Sequence, residues 1–409
     1  MNEHQEGWLR TRWRRVARTA VAAVASAGIA VLAIGFTAGA ASAGVGPADR
    51  STDASITAAS GSQVAAGDLH TCVIRTNGTL WCWGNNFYGQ LGDGTNTNRT
   101  SPVQAGTVTT WASVDAGGGH ACAVRTDGTL WCWGNNAKGQ LGDGTTTKRN
   151  TPVQVGTGTT WVTVSAGNSH TCAVQTTGTL WCWGTNRHAQ LGVGLSPSKA
   201  TTPVQVGTAT TWASVTTGYA HTCAVQTDGT LWCWGSSSDG QLGLGILSYR
   251  ATPTQVGTTA TWAGATAGYV HTCAVRVDGT LWCWGENGYG QLGEGSSSQT
   301  TPLRVGTGTT WANVEASVDS SCAARTDGSL WCWGRNASGQ LGDGTTTHRS
   351  SPTQVGTAIA WTGGLGVTYH ACATRTDGTL WCWGDNTHGQ LGDGTTTHRL
   401  TPAQVALPG

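Results

Sequence analysis

Two cysteines ten positions apart recur seven times at almost constant spacing, and this regularity limits what the chain can become. The second cysteine of each pair stands at Cys82, Cys132, Cys182, Cys233, Cys283, Cys332 and Cys382, with intervals of 50, 50, 51, 50, 49 and 50 residues. A period this tight means one supersecondary unit arrayed seven times. No single unit of that size buries its own apolar face, so stability must come from stacking neighbours.

Each unit reads as four short extended segments. In the second copy these are residues 120–126, 129–134, 152–155 and 161–166, with 135–150 as a long Gly/Asn/Asp/Thr-rich loop. None is long enough for a stable helix, and β-branched and aromatic content between glycines argues for strands. Four strands in each of seven repeats predict an all-β, seven-bladed β-propeller with four-stranded antiparallel blades. A β-helix is the alternative, but its coils are usually shorter and need no internal hairpin. The first repeat has no TPxQV segment before it, and the chain finishes on residues 401–405 with such a segment. This complementarity predicts a ring closed by the C-terminal strand completing the first blade.

The hairpin can be placed to the residue. With Thr126, Asp127 and Gly128 as a three-residue loop, Gly128 takes the left-handed position of a G1-type bulge and Cys122 faces Cys132. Counted out from the closing pair Arg125 and Thr129, the cysteines fall on a non-hydrogen-bonded pair, where strands come closest. Seven intra-blade disulfides are expected: Cys72 to Cys82, Cys122 to Cys132, Cys172 to Cys182, Cys223 to Cys233, Cys273 to Cys283, Cys322 to Cys332 and Cys372 to Cys382. A recurring His with two thiols also suggests metal, but the spacing lacks the close C-x-x-C pattern of zinc sites, so neither metal nor cofactor is expected.

The first 43 residues follow other rules. Arg10, Arg12, Arg14, Arg15 and Arg18 precede an uncharged apolar run, and Ala41, Ser42 and Ala43 offer an A-x-A cleavage site. Residues 1–43 are therefore expected to be a secretory signal peptide rather than a membrane anchor, 44–55 a flexible mature N-terminus, and 56–409 the propeller. Arg14 and Arg15 are the only hint of a twin-arginine route. Export agrees with cystines. With 11% charged residues and a net charge of +1, neither nucleic acid nor an anionic membrane is an expected partner of the mature chain.

The phrase HTCAVRTDGTLWCWG around Cys273, with GQLGDG at residues 139–144, resembles the repeat of the regulator of chromosome condensation family, here in a secreted, bacterial-type form. The likeness spans residues 64–405 and implies a seven-bladed propeller. The family's eukaryotic founders are nuclear exchange factors for a small GTPase that bind chromatin. This chain departs from them: it carries an export signal, no basic arm and no wedge-like insertion between repeats, so exchange is not expected. Its architecture is also similar to that of secreted β-lactamase inhibitors, which hold an enzyme with one face of the ring.

What recurs in every repeat reads as scaffold. Twenty of the 22 tryptophans occupy fixed repeat positions and suit packing between blades better than a stacking platform for sugars or bases. His70, His120, His170, His221, His271 and His370 recur with no nucleophile beside them, which favours an imidazole bonded to backbone over a catalytic base. Asp93, Asp143, Asp343 and Asp393 suit turn capping, and Val193, Leu244 and Glu294 at the same position argue against a shared calcium site. No paired carboxylate or nucleophile elbow stands apart from the repeat, so no catalysis is expected.

Tyrosine marks what varies: all six stand at repeat-variable positions. Tyr219, Tyr269 and Tyr369 lie just before the HTC-type segment, and Asp319 breaks the pattern there in the sixth repeat, so these four are the candidate partner-binding residues. The long loops with Arg187, His188 and Tyr249 are the second candidate. The expected function is a secreted, monomeric binding module for a protein or cell-surface glycan. The alternatives are an inhibitor of a secreted enzyme, or an enzyme with a site built from loops of several blades.

Overall fold

The computed structural model describes residues 63–357 and 360–408; the expected signal peptide and mature N-terminus lie outside them. Seven four-stranded antiparallel sheets each take their strands in chain order, and no helix occurs among the described residues. In the second blade the strands are Trp111–Ala116, His120–Arg125, Leu130–Gly134 and Arg149–Gln154. Cys122 faces Cys132, Arg125 N–H donates to Thr129 O at 2.9 Å, and Gly128 has φ 76°, which are the hairpin and bulge read from the sequence. All seven disulfides are present, each with its Cα atoms 4.1 Å apart, the close approach of a non-hydrogen-bonded pair. Seven cystines fit an oxidising environment.

The ring is not closed by strand exchange. The last strand, Arg399–Val405, pairs with Leu380–Gly384 in its own blade, and Gln63–Ala66 is the innermost strand of a complete first blade. A TPxQV-like segment follows LWCWG within every repeat, as SPVQA at residues 101–105 in the first, and closes that repeat's own sheet, so the first blade lacks nothing. The proline it carries sits in the outermost strand, where a missing N–H faces solvent instead of a ladder.

Side chains close the seam as they close every other joint. Within a blade the cystine faces one neighbour and the LWCWG tryptophans the other, because adjacent strand positions point to opposite faces. The Cys122–Cys132 bridge shares a core with Trp183 of the next blade, and Cys372–Cys382 shares one with Trp83 across the seam. The buried Trp133 indole donates to the Gln90 carbonyl of the preceding blade at 2.9 Å, and Trp83 to Gln390 at 2.9 Å. Glycine makes this latch fit: a Cβ on Gly142 would stand 2.7 Å from Trp183 Nε1, and its φ is 71°.

Five of the six histidines belong to the same joint, bonded to a neighbour's side chain rather than to backbone in their own turn. His120 Nε2 lies 2.9 Å from Thr171 Oγ1 of the next blade, and Thr171 in turn donates to the Gln140 carbonyl at 2.8 Å. His170, His221, His271 and His370 repeat this with Thr222, Thr272, Ser321 and Thr71. Burial without a countercharge lowers the pKa of His70 to about 4 and of His120, His170, His221 and His370 to about 3.

Candidate binding face

Strand order decides which loops share a face. Turns joining first to second strands and loops joining third to fourth strands open at one end of the ring; hairpins and inter-blade linkers open at the other. Tyr219, Tyr269 and Tyr369 lie in the turns, and Tyr88, Tyr249 and Tyr289 in the loops, so all six tyrosines stand on one face. Of the exposed large apolar residues, Phe87, Leu195, Leu247 and Tyr249 lie on loops of that face.

The turns converge on the ring axis. The Tyr219 and Tyr269 rings pack at 4.9 Å between centroids, tilted by 37°. Tyr269 Oη donates to Asp68 Oδ2 of the first blade at 2.8 Å and accepts from Asn168 Nδ2 of the third at 3.3 Å. One side chain from the fifth blade thus ties three blades together at the mouth. Burial raises the Tyr269 phenol well above its ordinary range, with further contributions from Asp68 and Tyr369, and burial and then Asp68 raise Tyr219.

Asp319 lies in the turn of the sixth blade. It is only 1% exposed, and its carboxylate lies 3.7 Å from Arg335 Nη1, whose guanidinium stacks over Tyr289. A partner meets Arg335 and Tyr289 before it meets that carboxylate. Asp68 and Asn168 were missed as site residues, although both replace Gly118 at the repeat position that Tyr219 and Tyr269 occupy.

Below the mouth, inner strands of neighbouring blades are joined by side chains. Asp115 accepts from Ala166 N–H at 2.8 Å, Thr216 from Ala267 N–H at 2.9 Å and Thr266 from Ala316 N–H at 3.2 Å, satisfying backbone that no fifth strand covers. Thr266 also donates to Glu315. Burial pushes Asp115 up to about 6 and Glu315 up to about 8, the second helped by the negative charge of Asp115.

The long loops divide into two kinds. In the first, second, sixth and seventh blades an Asp locks the loop. Asp143 Oδ1 accepts from Thr145 N–H at 3.0 Å and Asn136 Nδ2 at 3.0 Å, while Oδ2 pairs with Arg149 at 2.8 Å; Asp93, Asp343 and Asp393 repeat the pairing. Burial alone would raise these carboxyls, but hydrogen bonds from Thr and Arg outweigh it and hold them below the usual range. Val193, Leu244 and Glu294 break the lock in the third, fourth and fifth blades, and exposed Leu195, Leu247 and Tyr249 lie on the first two of those loops. Those loops are neighbours: Gly194 N–H donates to Ala251 O and Gly245 N–H to Thr300 O. Arg187 and His188 share the third-blade loop, and burial lowers the His188 pKa.

The opposite face is finished differently. Arg125 lies over Trp131 at 3.9 Å and Trp111 at 4.8 Å, and Arg276, Arg325 and Arg375 repeat the sandwich. In those four blades the ring faces that a sugar or base would need are covered by the chain's own guanidinium groups, whereas the third and fourth blades carry Gln175 and Gln226 there.

The RCC1-like domain family matches residues 30–368, and the regulator of chromosome condensation (RCC1) repeat matches residues 367–390. The chain belongs to the RCC1-like domain family. Among solved structures it is similar to human WBSCR16, at 21% identity and TM-score 0.73, over 81% of this chain and 95% of that one. It is similar to Prp20p from Saccharomyces cerevisiae, described with its binding to Gsp1p and histones, at 21% identity and TM-score 0.70 over 85% and 86%. The CRINKLY WD40 ectodomain of the Arabidopsis thaliana receptor kinase ACR4 follows at 18% identity and TM-score 0.50, over 85% and 100%. No curated protein sequence matches the chain.

Proposed function

We propose that this chain is a secreted, bacterial-type RCC1-like propeller that acts as a disulfide-stapled binding module, holding a protein partner on its tyrosine-bearing face. The observation that carries this reading is the segregation of side chains: all six tyrosines and the exposed Leu195, Leu247 and Phe87 gather at one end of the ring. Amphipathic rings and aliphatic groups on a rigid scaffold are what protein interfaces use. A glycan platform is less well supported, since it needs flat exposed ring faces and the exposed groups of the third- and fourth-blade loops are largely aliphatic. What Prp20p binds is not carried over; at 21% identity the likeness supports the fold alone. An inhibitor of a secreted enzyme would be one form of this module.

The test is to recover a partner from culture medium and cell surface with the mature chain, then to measure its affinity for two variants. Leu247→Asp with Tyr249→Asp should weaken binding at least about tenfold, the loss of one hot spot of 1.4 kcal/mol or more. Val277→Asp, on an exposed hairpin of the opposite face, should leave it unchanged. Equal affinity of the first variant and the parent would place the interface elsewhere.

A further inference from the structure

Charge on the tyrosine-bearing face is sorted by blade. All three lysines of the chain, Lys138, Lys148 and Lys199, stand with Arg187 and Arg250 on the long loops of the second, third and fourth blades or at the strand starts that follow them. Lys148, Arg187 and Lys199 are exposed, and Lys138 and Arg250 are half-buried. Among the described residues none of the five pairs with a carboxylate. The acids on these three loops are Asp143, already held by Arg149, and Asp239. Arg250 shows why the charge is left over. It stands opposite Gly235 as Arg149 stands opposite Gly134, but Leu244 takes the place of the aspartate that would neutralise it. The loops are laced side by side: Gly144 N–H donates to Thr201 O at 2.8 Å and Gly194 N–H to Ala251 O at 2.9 Å, which sets the start of Lys199's strand beside the second-blade loop and that of Arg250's beside the third. Exposed Leu195, Leu247 and Tyr249 alternate with these cations along the chain. Cations left without carboxylates and interleaved with apolar groups are complementary to a partner patch whose acids ring an apolar centre.

Resting on the reading of this face as a protein-binding surface, we infer that the loops of the second to fourth blades receive an acidic patch of the partner protein. Its carboxylates would meet Lys148, Arg187, Lys199 and Arg250, and apolar side chains between them would cover Leu195, Leu247 and Tyr249. A nucleic-acid duplex or an anionic bilayer is the poorer match. A uniformly negative surface would meet Glu286 and Glu294 of the adjoining fifth-blade loop with like charge, whereas a protein can place its acids over three loops alone. Charges at the rim of an interface act mainly on the rate of association, so the cations would steer the partner and the apolar groups would hold it.

The test titrates the isotope-labelled mature chain with an end-blocked octapeptide of alternating glutamate and leucine, followed by amide NMR at constant ionic strength. Shifts are expected at residues 186–199 and 236–250, and the counterpart peptide with glutamine in place of glutamate should bind far more weakly. The triple variant Arg187→Gln, Lys199→Gln, Arg250→Gln should weaken the acidic peptide about tenfold, the sum of three exposed pairs. Arg304→Gln, which removes an exposed cation from the outer strand of the fifth blade, should leave it unchanged. A short DNA duplex and phosphatidylglycerol vesicles, run beside the peptide, should not reach these loops. The inference is overturned if the acidic peptide shifts neither loop, if the glutamine peptide binds equally, if the triple variant binds like the parent, or if the duplex or the vesicles occupy the loops at lower concentration than the peptide. Failure of the peptide together with a recovered partner that still depends on Leu247 and Tyr249 would remove the acidic patch and leave the binding face standing. A peptide that binds, with a recovered partner indifferent to those two residues, would do the reverse.

Discussion

At the scale of single residues, the joint between blades is one sentence repeated with two interruptions. Each His reaches a hydroxyl of the next blade, except that His70 meets Ala121 and Ser320 meets Ala371. His70 accordingly has neither ring nitrogen hydrogen-bonded, inside a side chain that is wholly buried. Ala121→Thr should supply both the missing partner for His70 and a donor to the Gln90 carbonyl, raising stability by roughly 0.5–1.5 kcal/mol. Denaturant unfolding checks it, and a lower midpoint would mean that the threonine does not fit. The histidines were legible in the sequence as structural, but their partners were not. A bond between His120 and Thr171 spans 51 residues and one blade boundary, which no local pattern encodes. Asp68 and Asn168 escaped for the same reason: Tyr269 meets them 201 and 101 residues away.

At the scale of the element, the hairpin was fully legible, because its register follows from a three-residue loop and strand alternation alone. Ring closure was misread because the phase of a repeat is invisible in a periodic sequence. Any of its four strands can be taken as the first, and only the pairing of Arg399–Val405 with its own blade decides it. Each cystine closes ten residues, so replacing Cys122 and Cys132 together by Ala should cost at most about 2.5–3 kcal/mol of chain entropy, with some packing lost against Trp183. Thermal unfolding of the oxidised double variant should show a lower midpoint with the propeller's circular dichroism retained. Loss of the folded signal at ambient temperature would show that each staple is essential to its blade.

For the whole molecule, five of the recurring histidines, His70, His120, His170, His221 and His370, make stability depend on acid in one direction. Their folded pKa values are depressed, so the folded state refuses protons that the unfolded chain accepts below about pH 6.5. Stability is therefore fully present above pH 6.5 and lost as pH falls toward 4 to 3, at up to about 1.4 kcal/mol per pH unit for each fully buried imidazole. Glu315 works the other way, since its raised pKa makes the folded state hold a proton that the unfolded chain releases between about 4.5 and 8. Asp115, raised to about 6, acts in the same sense, and two groups against five leave the net sign with the histidines. Denaturant midpoints should fall steadily from pH 7 to pH 4.5, and a flat profile would contradict the buried, neutral ladder.

Hydrogen–deuterium exchange on the mature chain, free and bound to its recovered partner, tests the central claim most directly by mapping which end of the ring is covered. The account predicts new protection at the turns 67–69, 218–220 and 268–270 and at the loops 186–198 and 236–249, with the hairpins at 126–128 and 277–279 unchanged. Protection confined to those hairpins and the linkers between blades would put the partner on the opposite face and contradict it.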